Sequence, residues 1–119
     1  MSKPMRTYEP FSTVVALFPF TDRSAHKKRS AVVLSSRTFQ QETNSCTCAM
    51  ITSVPYDWPG DIQLSDPACA GLSIQSKVRL KFFTLDLNLT LRPLGHLCEA
   101  DRNNLIANLA TYCSLEPAS

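Results

Sequence analysis

The sequence predicts a mostly β fold with α, a small barrel closed on one side by a C-terminal helix. Two observations predict it. Short runs rich in β-branched and aromatic residues, such as Thr13 to Phe20 and Lys77 to Leu85, recur between turn residues through most of the chain. From Glu99 onward the apolar period changes to three and four, the spacing of one helix face. A chain of 119 residues has room for one modest core. The expected organisation is therefore a single domain over 1–119, with a flexible N-terminal arm over 1–11, barrel and helix over 12–113, and a short tail over 114–119.

Thr13 to Phe20 reads as the first strand, ending at Thr21-Asp22, and the polar residues from Asp22 to Lys28 read as loop. Ser30 to Ser35 is the next strand, with Ala31, Val32, Val33 and Leu34 an apolar run buried on both sides. Arg29 then stands where a basic loop meets a rigid strand, so its Cα is fixed while its guanidinium stays exposed. Arg37 to Ser45 is polar and is expected to be loop. Cys46 to Thr52 is a third strand that stops before Ser53-Val54-Pro55, and Pro59-Gly60 marks a turn before the short run Asp61 to Leu64.

In Lys77 to Leu85, Lys77, Arg79 and Lys81 alternate with Val78, Leu80 and Phe82, which predicts one wet, basic face and one buried face. A further strand runs from Leu89 to Pro93 and carries Arg92 toward the other basic side chains. Glu99 to Cys113 is the helix, with Leu105, Ile106, Leu109, Tyr112 and Cys113 as its apolar stripe. Glu99 and Asp101 sit at the end where the helix dipole favours anions.

Charged residues make up only 18% of the chain and hydrophobic residues 44%, so some apolar surface is expected to be covered by a partner, with a homodimer the simplest case. The net charge is +2, unevenly spread: residues 1–37 hold seven Lys and Arg against Glu9 and Asp22, a basic end suited to a phosphate backbone. Five cysteines, an odd number, fit free thiols in a reducing, cytoplasmic compartment. The thiols of Cys46 and Cys48 are expected to diverge on their strand, and no second metal-ligand pair accompanies them, so neither a metal nor a cofactor is expected. Apolar stretches fall well short of the about 20 residues a membrane helix needs, so no membrane association is expected.

The candidate chemistry is phosphate handling. A guanidinium offers permanent charge and a fork of donors for phosphoryl oxygens, and a strand-end hydroxyl adds a shorter hydrogen bond beside it. Arg29 and Thr52 are the residues that fit, with Lys27 and Lys28 as general phosphate contacts. His26, in the basic loop, is a candidate for proton transfer or substrate contact. His96, beside Gly95, reads as a turn residue with a local hydrogen bond.

The order of these pieces resembles the PemK/MazF family, the ribonuclease toxins of bacterial toxin–antitoxin pairs. The resemblance runs from about Thr13 to Leu109, through FPFTD, KKRSAVVLS, MITS, AGLSIQSKVRLKFFTLD, RPLG and the closing helix. It implies a small SH3-like antiparallel barrel with a C-terminal helix, the PemK/MazF-like plasmid-toxin fold, assembled as a homodimer. It further implies metal-independent cleavage of single-stranded RNA at short sequences through a 2′,3′-cyclic phosphate, leaving a 5′-hydroxyl product. On that resemblance Arg29 and Thr52 match the catalytic arginine and threonine, and Ser53 supports them. Phe11, Lys27, Lys28, Lys77, Arg79 and Lys81 would contact RNA, and a cognate antitoxin with an acidic segment would compete for the same surface.

Two positions depart from the family pattern. Phe11 stands where relatives usually carry glycine, and its ring would reshape the first loop, stack on an unpaired base or obstruct the groove. Ser30 replaces the proline after the arginine, which restores a backbone N–H and frees φ, so Arg29 is expected to be held less rigidly. Both departures leave room for a weak or inactive member that only binds RNA or an antitoxin. A gyrase-poisoning toxin of the same fold is a second alternative, disfavoured by the KKR and MITS runs.

Overall fold

A computed structural model describes residues 6–18 and 27–113. Six strands, β1 (Ser12–Phe18), β2 (Lys27–Val33), β3 (Ser45–Thr52), β4 (Ile62–Gln63), β5 (Lys77–Asp86) and β6 (Thr90–His96), make one sheet in the order β4-β5-β3-β2-β1-β6. Every pairing is antiparallel. A short 3₁₀ turn, Leu87–Leu89, joins β5 to β6, and helix α2 (Glu99–Tyr112) follows. No helix among the described residues is long and apolar enough to cross a membrane. The expected N-terminal arm lies partly outside the described residues, and the C-terminal tail, Pro19 to Asp22 of FPFTD and His26 lie wholly outside them.

The sheet curls into a half-barrel rather than a closed one: β4 and β6 are its edges, and among the described residues they do not pair. The curl follows from irregular registers. On β5, Leu80 and Lys81 are inserted between the pairs Met50–Arg79 and Ala49–Phe82, which bends the strand. On β6 the register slips twice against β1, and Pro93 is tolerated there because β6 is an edge strand.

Both faces of the central strands are covered, as the apolar run in β2 predicts. Val32, Ala49, Ile51, Val78, Leu97 and Leu105 pack on one face, while Tyr8, Val14, Ala31, Val33, Cys46 and Cys48 fill the other. The expectation for the two thiols is corrected here. Residues two apart on a strand share a face, and the Sγ atoms of Cys46 and Cys48 lie 3.6 Å apart, fully buried. The contact with Cys46, together with burial, pushes the Cys48 thiol up, so it stays protonated.

The stretch expected as loop after Ser35 contains helix α1 (Arg37–Thr43). Caps, not apolar period, make it. The Ser36 side chain accepts a hydrogen bond from the Phe39 N–H, and Asn44 ends the helix in the left-handed conformation. The residue it buries is polar: Gln40 accepts from the Tyr8 N–H and donates to the Tyr8 carbonyl, both at 2.8 Å. That pairing ties the segment before β1 to the helix, and no hydropathy pattern marks it.

Helix α2 occurs where the period changes, but its buried stripe is narrower than expected. Leu105 is fully buried and Leu109 packs against the same core, whereas Ile106 and Tyr112 are largely exposed. A carboxylate does much of the anchoring instead. Asp101, fully buried in the first turn, accepts from the Ser65 N–H and hydroxyl at 2.9 Å and from the Asp66 N–H at 3.2 Å. Burial alone would push this carboxyl up, but the Ser65 and Asp66 donors hold it below the ordinary value.

Asp101→Ala is expected to lower stability by about 2–3 kcal/mol, because it removes a buried charged acceptor from the part-buried Ser65 and Asp66 donors. A folded-state pKa below the unfolded value gives stability that is present above about pH 4 and lost as pH falls through the folded value. Urea titrations across that range should therefore show a shallower acid dependence for the variant than for the parent protein.

Candidate active site

Arg29 is the third residue of β2, paired with Ala16 of β1, and its side chain is exposed. The strand begins at Lys27, so the arginine is held inside the ladder, not at the loop junction the sequence suggests. The β2–β3 ladder ends at Ala31 and Met50. Arg29 and Thr52 each lie two residues beyond that pair, and strand alternation puts them on the same face at the same end of the sheet. Thr52, half-buried, ends β3, and its Oγ1 accepts from the Val54 N–H at 3.3 Å. The hydroxyl hydrogen thus remains available to a phosphoryl oxygen. Ser53 follows, exposed.

Beside this strand end lies a groove of about 330 Å³. Its floor is a row across the sheet: Val15 pairs with Ser30 on one side and with Arg92 on the other, and Ile51 continues the row. Thr52 and Ser53 form one rim, and Gly71 to Ile74 form the opposite wall. A second depression of about 210 Å³ continues past Thr52 and Ser53 toward Pro55, Gln75 and Lys77. Arg29 lines neither one. Among the described residues, the cation that lines the groove is the exposed side chain of Arg92.

Two glycines let the opposite wall approach. A Cβ on Gly95 would stand 2.4 Å from the Cys69 carbonyl oxygen, and one on Gly71 the same distance from that of Leu94. Gly71 also takes φ +75°, a conformation that favours glycine. Thr13 Oγ1 donates to the Ala70 carbonyl at 2.7 Å and the His96 N–H to that of Cys69 at 3.2 Å, which clamps the wall to the sheet. The His96 ring lies 3.5 Å from the Cys69 sulfur. Burial, then the neighbouring Asp66, pushes that thiol up.

Three of the expected RNA contacts are placed differently. Lys77 and Arg79 do not form a wet face: they are only 2% and 7% exposed. Lys77 Nζ lies 2.9 Å from Asp57, and Arg79 grips both oxygens of Asp61 at 3.1 and 2.8 Å. The alternation fails because the loop between β3 and β4 folds over this end of β5. Phe82, expected inside, is half-exposed beyond the bend, and of the three cations on this strand only Lys81 reaches solvent. Burial would push the Asp61 carboxyl up, but the Arg79 guanidinium, the Trp58 N–H and Lys77 hold it below the ordinary value.

Phe11 is the third. It adopts φ +71°, the backbone conformation a glycine would supply, while its ring packs against the core. Its N–H donates to the Val33 carbonyl and its carbonyl accepts from the Leu97 N–H. The bend is therefore kept, and the ring neither blocks the groove nor presents itself for stacking. Lys28 is exposed on β2, near Arg29. His26 and the side chain of Lys27 lie outside the described residues.

Ser30 and Arg92 are the site residues that sequence reasoning does not bring together. Their meeting depends on β1 lying between β2 and β6, and on a slipped register that no local pattern encodes.

Solved structures share this architecture. An endoribonuclease from a mycobacterial species superposes with TM-score 0.73 over 98% of this chain and all of its own, at 16% identity. An endoribonuclease in complex with its cognate antitoxin, also mycobacterial, gives TM-score 0.73 over 94% of this chain and all of its own, at 16% identity. MazF from Deinococcus radiodurans gives 0.69 over 89% of this chain and 96% of its own, at 19% identity. Identities this low establish the fold. Curated protein sequences contain no match to the chain. A family model of the PemK-like, MazF-like toxins of type II toxin–antitoxin systems matches residues 12–112, nearly the whole described chain. The chain belongs to the PemK-like, MazF-like toxin family.

Proposed function

We propose that this protein is a sequence-preferring, metal-independent endoribonuclease toxin that cuts single-stranded RNA. The observation that carries the reading is the placement of Arg29, Thr52 and Ser53 at one end of the sheet, beside a groove lined by a second arginine. RNA supplies its own nucleophile. The 2′-oxygen bonds to phosphorus as the bond from phosphorus to the 5′-oxygen breaks. The 2′-hydroxyl loses its proton and the departing 5′-oxygen gains one, leaving a 2′,3′-cyclic phosphate and a 5′-hydroxyl end.

Charge builds on the nonbridging phosphoryl oxygens during this displacement, and donors aimed there lower the barrier. Arg29 meets that demand with permanent charge and a planar fork, and Thr52 adds a neutral donor whose lone pair is already occupied by Val54. Ser53 can position the same group. Arg92 and Lys28 hold the flanking phosphates. Arg92→Ala is expected to weaken binding of an uncleavable RNA roughly tenfold and to lower its salt slope by about one, as the loss of a phosphate contact does. A filter-binding titration at several salt concentrations reads both.

The cognate antitoxin, in this reading, lays an acidic segment over the same exposed cations, and the active species is a homodimer. The structural neighbour solved with its own antitoxin supports that pairing. A binding-only member is the second reading, and the observation favouring it is that Arg29 does not line the groove. Incubation of the protein with long mixed-sequence RNA in EDTA, followed by mapping of product ends, separates the two. Cuts at one repeated short word with 5′-hydroxyl ends support the toxin; intact RNA that nevertheless binds the folded protein supports the binding-only reading.

A further inference from the structure

The loop between β3 and β4 spends buried charge on holding two exposed rings. Lys77 Nζ donates to the Tyr56 carbonyl at 2.6 Å, and Arg79 Nη2 donates to the same oxygen at 3.1 Å. Asp61, clamped by Arg79, accepts from the Trp58 N–H at 2.8 Å, and the Trp58 carbonyl accepts from the Asp61 N–H at 2.9 Å. The Arg79 guanidinium also lies against both rings, 5.3 Å from the Tyr56 centroid and 5.5 Å from that of Trp58, and Lys81 Nζ is 5.8 Å from the latter. Yet Tyr56 is 64% and Trp58 44% exposed.

Taking two cations and a carboxylate out of water is costly, and a surface turn does not need it. What the network achieves is placement: the backbone of both aromatic residues is fixed, and a cation rests against each ring while much of the ring remains open. A preordered aromatic surface loses little entropy when a flat ligand stacks on it. Its location names the ligand. The depression that leads away from Thr52 and Ser53 is lined by Pro55 and by Lys77, whose Nζ holds the Tyr56 carbonyl, so a strand threaded past the hydroxyls runs onto these rings. Cation-backed aromatics beside a phosphate track are what unpaired bases recognise.

We infer that Tyr56 and Trp58 form a stacking platform for one or two unpaired nucleobases of the RNA strand that flanks the cleaved bond. The inference rests on the RNA reading of the groove and assigns that RNA a second point of contact. Every base has a π face, so the platform contributes affinity with little base preference.

Trp58 is the single tryptophan of the chain, so its emission reports the platform directly. The test titrates the protein with a 2′-O-methyl RNA of mixed sequence, which cannot be cut, and with an abasic oligomer of equal length and charge. Saturable quenching by the first and not by the second is expected. By filter binding, which needs no tryptophan, Tyr56→Ala and Trp58→Ala should each weaken binding of the base-bearing oligomer about 5- to 150-fold, the range that stacking on an aromatic side chain spans, and leave the abasic oligomer unchanged. Tyr56→Phe and Trp58→Phe, which keep a ring and the backbone anchor, should restore binding. Equal quenching by both oligomers, or unaltered affinity in the alanine variants, would overturn the platform while leaving the RNA reading intact. Binding of neither oligomer would overturn both. Quenching by a Glu-rich peptide but not by the RNA would show a protein-docking loop instead.

Discussion

Arg29→Ala is expected to lower kcat/KM for RNA cleavage by roughly 10²- to 10³-fold, the cost of removing one donor aimed at developing charge. The same change should leave the melting temperature almost unmoved. The side chain is exposed and, among the described residues, has no ion-pair partner, so its loss falls in the range of about 0.5 kcal/mol typical of surface positions. Arg29→Lys sharpens the expectation. A lysine keeps the charge and loses the planar fork, so binding should recover more than turnover. If Arg92, which lines the groove, carries the transition-state charge instead, Arg29→Ala will leave kcat intact and Arg92→Ala will abolish it. Single-turnover rates on one defined RNA, with melting curves for each variant, decide between the two arginines.

Asp61→Ala carries the largest expected cost in stability, about 3–5 kcal/mol, because it removes the carboxylate that both buried cations face. Arg79 would lose a bidentate partner and Lys77 one of its two carboxylates, since Asp61 lies 3.8 Å from Nζ and Asp57 2.9 Å. The Trp58 N–H would also lose its acceptor. Because the Asp61 carboxyl is held below its unfolded value, its contribution is present above about pH 4 and fades as pH falls through the folded value. Chemical denaturation at neutral pH should show the full loss, and the difference from the parent protein should shrink on acidification.

Much of the fold is legible because its strongest elements are also the most patterned. The run from Ala31 to Val33 is buried on both faces, Cys46 to Thr52 ends where the Ser-Val-Pro turn begins, and the change of period at Glu99 marks α2. What the pattern does not carry is polar burial. Gln40 makes α1 part of the core through hydrogen bonds to Tyr8, and Asp101 binds a loop that is distant in sequence. Lys77 and Arg79 read as a solvated face because alternation reports which side of a strand a residue occupies, not what covers that side. Their partners, Asp57 and Asp61, sit in the loop between β3 and β4 that folds over this end of β5.

The candidate site divides in the same way. Arg29 and Thr52 are candidates from the resemblance of their runs to the family, although Arg29 lies inside β2 and not at the strand junction the sequence suggests. Arg92 and Ser30 become neighbours only through Val15 between them. Phe11 shows the limit of reasoning from a residue's usual conformation: a non-glycine residue holds φ +71° here because its ring packs against the core and both backbone polar groups are paired.

In the proposed reaction the RNA's own 2′-hydroxyl performs the attack within this site. Once a cut has been mapped, the most direct measurement replaces that hydroxyl with hydrogen at the single nucleotide 5′ of the cut and follows cleavage in EDTA. The substituted RNA is expected to bind with nearly unchanged affinity and not to be cut at that position. Cleavage at the original position and rate would contradict it.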